Sequence, residues 1–381
     1  MPKPGMPNTE MPNPVHAPLE TKTARFPVLD GWRAIAIGLV IWHHATMSRY
    51  ANEDLYWATS QSQLGAFGVD IFFGISGLLI TRLLLLEYQR KGAISLSGFY
   101  TRRVFRILPP VFALLAVVGM LGLFQSRLEL VSCLGFFRNY IRETLGGTYT
   151  RHLWSLAVEE HFYFFWPAVL IWLTTRDLSG RAVAYLSIFF GLWRVFDAET
   201  GATANLLAGV NTHFRTDLRA DALLWGCFVA FLLAGNGATE RLRKHLNGPV
   251  IAVATVAALA CVLFYSMLTT LWFAMLVPVV LAGTTLHPEW RFCRVLELSP
   301  VRFVGRISYS LYLWQGLFLL PGWLPRIGVL QQWPWNLVAT FAAACASYFL
   351  IEKPCMQFGR VAAQRAGSVL KPRLATARTT S

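Results

Sequence analysis

The sequence predicts an all-α polytopic membrane protein with about ten transmembrane helices. Apolar runs long enough to cross a bilayer recur along almost the whole chain, and 55% of the 381 residues are hydrophobic while only 14% are charged. A water-soluble protein of this size normally needs many more surface charges. Since a helix crosses the hydrocarbon with roughly 20 apolar residues, we expect one membrane domain over residues 26–360.

The remaining segments are predicted to be tails. Residues 1–25 are rich in proline and polar residues and lack the apolar core of a signal peptide, so we expect a disordered cytosolic N-terminal tail. Residues 361–381 form a basic cytosolic C-terminal tail. The predicted spans cover 29–47, 64–86, 107–125, 153–174, 182–196, 218–234, 249–266, 271–286, 307–325 and 333–351.

The net charge of +14 is explained by topology. Most lysines and arginines fall in the inner segments if the N-terminus is inside, so the positive-inside rule places both termini in the cytoplasm. The basic residues form short clusters between apolar runs, which argues against nucleic-acid binding. One outer loop runs against the trend and either contacts an anionic acceptor or is an ordinary solvated loop. Its arginines are Arg127, Arg138, Arg142 and Arg151.

The cysteines and histidines do not predict a metal site. Six cysteines are scattered without a C-x-x-C pair, which is typical of buried apolar side chains and predicts neither a disulfide framework nor zinc. His43 and His44 point about 100° apart on a helix, so they do not grip one metal together.

Several ionisable residues lie inside the predicted spans, where each costs about 2.5–3.5 kcal/mol and needs a partner, a cavity or a function. The first span, LDGWRAIAIGLVIWHHA, carries Arg33 near its cytosolic end and His44 roughly 16 Å further along, in the outer half. The second span places Asp70 in its outer third and Ser76 near its middle, between glycines that permit close helix packing.

The fourth span opens with RHLWSLAVEEHFYFFWP. Ser155 and Glu159 share a face of this helix, and Glu159 lies at a depth similar to that of His44, where a carboxylate orients or stabilises an imidazole. Trp154 is either a belt aromatic or a substrate contact. Ser155 lacks a G-x-S-x-G elbow, which argues against a serine nucleophile.

Further polar residues lie near the ends of other spans. In FYTRRVFRILPP, Arg103 and Arg106 are neighbours on one face at the cytosolic side; they suit phosphate oxygens or act as plain anchors. We expect Pro109 and Pro110 to limit where the third helix begins. The other candidates are Arg219 and Asp221 at the outer mouth of the sixth span, and Tyr309 and Tyr312, which share a face with Gln315 in the ninth.

Seven motifs in this order resemble the acyltransferase 3 family of integral membrane acyltransferases of bacteria. They are LDGWRAIAIGLVIWHHA, FGVDIFFGISGLLI, YTRRVFR, HLWSLAVEEHFYFFWP, RADALLWG, GRISYSLYLW and IEKP. Arg33 and His44 match the family's arginine and histidine, and His43 does not. Many members have histidine at Gln315 and glutamine at His161, so neither position is assigned a catalytic role. The soluble esterase-like domain of some members is not expected here.

The resemblance implies an O-acyltransferase of the bacterial cytoplasmic membrane. It implies cytosolic acyl-CoA as donor, with acetyl expected, and a hydroxyl of a glycan or related acceptor at the outer face. We predict that Arg103 and Arg106 bind the CoA phosphates and that His44 is the general base, oriented by Glu159 or Asp70. Arg33 either polarises the thioester carbonyl or holds a neighbouring helix.

The sequence also predicts substrate contacts and leaves two other functions open. No permanently bound cofactor and no metal are expected; membrane lipids and the acyl acceptor are the expected partners. The alternative function is a multi-pass transporter of a glycan or lipid-linked sugar, and a membrane sensor or scaffold is a third. The predicted substrate-binding residues are Ser76, Trp154, Ser155, Arg219, Asp221, Tyr309 and Tyr312.

Overall fold

The structure, a computed structural model, is all-helical, and no strand occurs in the residues it describes. These are residues 26–46, 64–176, 178, 180–235, 237–264, 266–320 and 327–377, with side chains as far as residue 365 and without that of residue 267. The predicted tail at 1–25 and the predicted outer arginines Arg49 and Arg326 lie outside the described residues.

Fifteen α-helices follow one another in the described chain, with short 3₁₀ turns in the loops. The helices are α1 Pro27–Thr46, α2 Leu64–Lys91, α3 Leu96–Met120, α4 Arg127–Leu134, α5 Trp154–Thr175, α6 Gly180–Thr200, α7 Ala220–Ala234, α8 Ala238–His245, α9 Gly248–Leu263, α10 Met267–Leu286, α11 Arg291–Leu296, α12 Ser299–Arg306, α13 Ser308–Phe318, α14 Trp335–Ser347 and α15 Lys353–Ala377. A π-helix over Tyr348–Glu352 joins α14 to α15.

Every predicted span contains a helix, but not every helix is long and apolar enough to cross a bilayer. Four stretches in the described residues are long and apolar enough, and a fifth qualifies if α7 and α8, bent by 117°, count as one span. The four are Leu64–Lys91, Leu96–Met120, Leu268–Leu286 and Trp335–Arg365. The chain is thus a multi-pass membrane protein, while ten spans and cytoplasmic termini stay predictions.

The third helix begins earlier than predicted. Pro109 and Pro110 lie inside α3, which starts at Leu96 after Ser95, whose hydroxyl accepts a hydrogen bond from the Gly98 amide at 3.2 Å. The expectation that the prolines mark its start is wrong. Proline lacks a backbone N–H, and in a membrane bundle neighbouring helices satisfy the carbonyl groups that are left without a donor. Arg103 and Arg106 are consequently helical residues, 7 and 10 positions after the first residue of α3.

Small residues let α2 and α7 pack in close contact. A Cβ atom on Gly77 would overlap the carbonyl oxygen of Leu223, and one on Gly226 would overlap that of Gly74. Such close backbone approach is the usual means of packing helices in lipid, where burial of apolar surface supplies little force. Glycines beside Ser76 therefore bring α7 against one side of α2 and leave the serine to face α5.

Two loops at one end of the bundle, predicted to be the outer end, fold onto each other. The Asn139 amide nitrogen donates to the Thr216 hydroxyl at 2.9 Å, and the Glu143 backbone amide donates to the Gly209 carbonyl at 3.3 Å. The loop between α3 and α5 thereby covers the loop between α6 and α7. This arrangement limits which side chains at the outer ends of the helices reach solvent.

Candidate active site

A hydrogen-bonded group at the centre of the bundle is built on Glu159 of α5. The Ser76 hydroxyl of α2 donates to Oε1 of Glu159 at 2.8 Å, and the Tyr163 hydroxyl donates to the Ser76 oxygen at 3.2 Å. Glu159 and Tyr163 are one turn apart, so both face α2. We call Glu159, Ser76 and Tyr163 the inner cluster.

Three arginines lie near the inner cluster. The charges of Arg103 and Arg106 of α3, and of Arg33 of α1, all act on the Glu159 carboxylate. The Arg103 guanidinium lies 4.6 Å from the centre of the Tyr163 ring, a cation–π contact that orients its N–H groups. Asp30 pairs with Arg33 at 3.7 Å, so carboxylates offset part of this positive charge, while the guanidinium N–H groups suit an anionic group or a developing oxyanion.

Glu352 approaches the same arginines from the far end of the chain. It is the last residue of the π-helix, is only 1% exposed, and accepts a hydrogen bond from the Ser310 hydroxyl at 2.8 Å. The charges of Arg106 and Arg33 act on it. Glu352 belongs to the IEKP motif. The π-helix, a feature that is frequent at functional sites, turns Glu352 inward.

His44 forms a second polar group, nearer the outer side. Its Nδ1 atom lies 2.6 Å from Oε1 of Gln315 in α13. With the amide oxygen as acceptor, Nδ1 carries the hydrogen and Nε2 keeps its lone pair. His44 is partly buried, whereas Gln315 is fully buried, so the amide holds the imidazole ring in one orientation while Nε2 is left for proton transfer.

His152 lies beside this pair. Its Nε2 atom is 3.0 Å from the Leu313 carbonyl, and its ring packs so closely on α13 that a Cβ atom on Gly316 would overlap it. The His152 carbonyl accepts a hydrogen bond from the Tyr312 hydroxyl, which is also 2.7 Å from the Ser155 hydroxyl. We call His44, Gln315, His152, Tyr312 and Ser155 the outer cluster.

The two clusters lie one above the other along α5. Ser155 belongs to the outer cluster and Glu159 to the inner cluster, and four residues of helix separate them by roughly 6 Å. The charge of Glu159 also acts on Tyr312. A column of polar side chains therefore follows α5 from the arginines to the outer cluster.

The predicted orientation of His44 by Glu159 or Asp70 is wrong. Glu159 points to Ser76, and Asp70 pairs with Arg219, the Nη1 to Oδ1 distance being 3.5 Å. The position of a residue along a helix axis does not determine which neighbour its side chain faces. Gln315 is the observed partner of His44.

Asp70, Arg219 and Asp221 belong to a buried charge cluster. Arg194 of α6 pairs with Asp221 of α7 at 2.8 Å, and both side chains are at most 4% exposed. The Arg219 guanidinium also lies 5.4 Å from the centre of the Trp154 ring. The prediction that Arg219 and Asp221 bind substrate at the outer mouth of the sixth span is wrong. These charges are enclosed between α2, α6 and α7, where they neutralise one another.

The remaining predicted contacts also form bonds within the bundle. Trp154 stacks on Phe214 with 4.7 Å between ring centres. The Tyr309 hydroxyl donates to the Ile107 carbonyl at 2.9 Å, and the Ser155 and Tyr312 hydroxyls form a hydrogen bond. Only Ser76 and the Ser155–Tyr312 pair therefore lie in the polar column. Trp154 is covered by the outer loop, and Tyr309 fastens α13 to α3.

One arginine of the loop between α3 and α5, Arg138, has a structural role. Arg138 is 6% exposed; its Nε donates to Thr150 at 3.1 Å and its Nη2 to the Gly147 carbonyl at 3.0 Å. Thr150 in turn donates to Glu129 at 2.5 Å, which is fully buried. Arg151 pairs with Glu143 at 2.9 Å. Arg138 is therefore buried within this loop and does not contact an anionic acceptor.

Sequence reasoning missed Gln315, His152, Tyr163 and Glu352. The shared face of Tyr309, Tyr312 and Gln315 was a usable signal, since a buried amide on such a face needs a partner. His152 and Glu352 had no comparable signal, because their roles depend on contacts with α13 and α3. Among the described residues, no group of three or more His, Cys, Asp or Glu side chains could hold a metal ion.

Comparison with known proteins supplies a family. The family model described as an acyltransferase domain, Acyl_transf_3, matches residues 26–352. This range includes α1 to α14 and ends at Glu352, so it contains both clusters and all three arginines. No solved structure matches the chain.

Two curated relatives resemble the chain over most of its length. The peptidoglycan O-acetyltransferase OatA of Listeria monocytogenes is 27% identical over 366 residues, which cover 87% of this chain and 56% of the relative. The O-acetyltransferase OatA of Staphylococcus aureus strain NCTC 8325 is 29% identical over 372 residues, covering 87% and 57%. The chain thus spans about half the length of these relatives.

Proposed function

Because the chain belongs to the acyltransferase 3 family, we propose that it is a membrane O-acetyltransferase that moves an acetyl group from acyl-CoA to a hydroxyl of a glycan. The names of two relatives support this reaction, one of them specifying peptidoglycan. We place the enzyme in the bacterial cytoplasmic membrane, with the donor arriving from the cytosol and the acceptor at the outer face.

The contact between His44 and Gln315 is the observation that carries the proposal. An imidazole whose Nδ1–H is engaged by an amide oxygen presents Nε2 as a base of defined direction. Gln315 is a positioning residue in this scheme, and it replaces the carboxylate that we expected from the sequence. The packing of His152 on Gly316 keeps α13 and its glutamine at the height of His44.

The inner cluster is the proposed donor site. Arg103 and Arg106 bind phosphate oxygens of CoA with their planar forks, and Arg33 stabilises negative charge that develops on the thioester carbonyl oxygen. Glu159 and Glu352 hold these cations in place between substrates. Their carboxylates limit the repulsion among three neighbouring arginines.

The reaction proceeds without a covalent enzyme intermediate. Nε2 of His44 removes the proton of the acceptor hydroxyl while the oxygen attacks the thioester carbonyl carbon. The tetrahedral intermediate collapses with cleavage of the carbon–sulfur bond, and the sulfur leaves as CoA thiolate. The imidazolium then returns the proton to the thiolate, so the products are the acetyl ester and free CoA.

Reconstitution tests this proposal. The protein in nanodiscs, given radiolabelled acetyl-CoA and soluble peptidoglycan fragments, is expected to release free CoA and to label the glycan in equal amounts. Movement of an unmodified glycan across a vesicle membrane without CoA release would contradict the proposal and favour the transporter. A His44→Ala variant provides the baseline for both measurements.

A further inference from the structure

A groove on the membrane-facing side of the bundle leads to the proposed donor site. It has a volume of about 230 Å³ and lies between α3 and α5 beneath the loop that follows α4. Val104 and Phe164 form its rim and are 46% and 66% exposed. Because α3 is among the helices long and apolar enough to cross a membrane, we place this exposed rim on the lipid-facing surface of the bundle.

The lining changes from apolar to polar along the groove. Ile107, Leu108 and Phe136 line its apolar part, and Arg103, Glu160 and Tyr163 line its inner end. Tyr163 and Arg103 are shared with the inner cluster, since the Tyr163 hydroxyl bonds to Ser76. The groove is therefore continuous with the site where we place the thioester.

The inner end of the groove offers one unused hydrogen-bond acceptor. Oε1 of Glu160 is buried and has no hydrogen-bond partner among the described residues, a costly state unless a ligand supplies a donor. The Arg103 guanidinium in the same lining offers donors. The N–H of a secondary amide supplies the donor that Oε1 of Glu160 lacks, and the CoA arm carries such an amide two methylenes from its sulfur.

We infer that this groove receives the acyl chain of the donor, so that the enzyme uses acyl-CoA molecules longer than acetyl-CoA. The inference rests on the proposed function and deepens it by naming the donor class. The terminal amide of the CoA arm donates its N–H to Oε1 of Glu160, the thioester lies beside the inner cluster, and the chain extends past Val104 and Phe164 towards the bilayer. Each buried methylene favours binding by about fourfold.

A chain-length series tests this inference. The protein in nanodiscs is given acetyl-, butyryl- and hexanoyl-CoA with one soluble glycan acceptor, and kcat/KM is measured for each. We expect hexanoyl-CoA to react at least as well as acetyl-CoA. Val104→Trp, which fills the rim, is expected to lower the hexanoyl-to-acetyl ratio of kcat/KM by about tenfold.

Phe112→Trp is the matched control, because Phe112 is 48% exposed on the same helix but does not line the groove. It should leave the ratio unchanged. If Val104→Trp does not fold, as judged by size-exclusion chromatography, Val104→Phe provides the same test with less added volume. Either variant is compared with the wild-type protein in one lipid composition.

The outcomes separate this inference from the proposed function. Transfer of acetyl alone, or a ratio that Val104→Trp leaves unchanged, would overturn the groove assignment while the O-acetyltransferase stands; a bilayer lipid is then its occupant. Absence of transfer from every donor would overturn the proposed function itself. Transfer of hexanoyl that falls only in the groove variants supports both.

Discussion

Nδ1 of His44 lies 2.6 Å from Oε1 of Gln315, across a separation of 271 residues in the chain. This contact joins the first helix of the bundle to α13 and determines which imidazole nitrogen remains available. Neither residue contacts the carboxylates that depth along the helices suggested.

Replacing His44 by alanine should abolish transfer. A general base contributes about 10²-fold to 10⁴-fold to a rate, so we expect a loss of kcat in this range at unchanged KM for acyl-CoA. His43→Ala is the control, since His43 packs against Gly65 and faces another direction. Normal turnover in His44→Ala with a loss in His43→Ala would show that the base is misassigned.

Gln315→Leu should lower kcat by about 10-fold to 100-fold, the range typical for loss of a hydrogen bond that orients a histidine. Leucine keeps the side-chain volume but lacks the acceptor oxygen. Gln315→Glu retains that oxygen and should restore most of the rate. The two variants are compared by steady-state kinetics, and an increase in KM for acyl-CoA with constant kcat would contradict the positioning role.

Arg106→Lys should raise the KM for acyl-CoA, because lysine keeps the charge but loses the fork that binds two phosphate oxygens at once. We expect an increase of about tenfold, equivalent to the loss of one charge-assisted hydrogen bond. Arg102→Lys is the matched control on the same helix, where the side chain is exposed. Equal KM values for both variants would dismiss the phosphate-binding role of Arg106.

Arg194→Leu should destabilise the protein by about 3–5 kcal/mol, because it leaves Asp221 charged and unpaired in the bundle. Combining it with Asp221→Leu should recover much of the loss, since both buried charges are then removed. Unfolding in detergent by denaturant measures the free energies.

The exposed pair Arg151–Glu143 serves as the comparison for this prediction. Both side chains are about half exposed, so Arg151→Ala should change the free energy of unfolding by less than about 1 kcal/mol. Equal effects of the Arg194 and Arg151 substitutions would contradict the structural role assigned to the buried charge cluster.

The helices were largely predictable, because hydropathy and turn residues are local properties. The predicted first span, 29–47, agrees with α1 within two residues at each end. The start of α3 was not predictable, since it depends on the cap at Ser95 and on neighbouring helices that accommodate two prolines. The predicted ninth span is longer than α13, a helix of 11 residues.

The sequence by itself determined that this is a helical membrane protein of the acyltransferase 3 type, and which ionisable residues lie at membrane depth. Only the tertiary structure decided their partners: Gln315 for His44, Ser76 for Glu159 and Arg219 for Asp70. The physical reason is that helical periodicity determines the height and face of a side chain. The helix that meets that face depends on packing contacts between residues far apart in the chain.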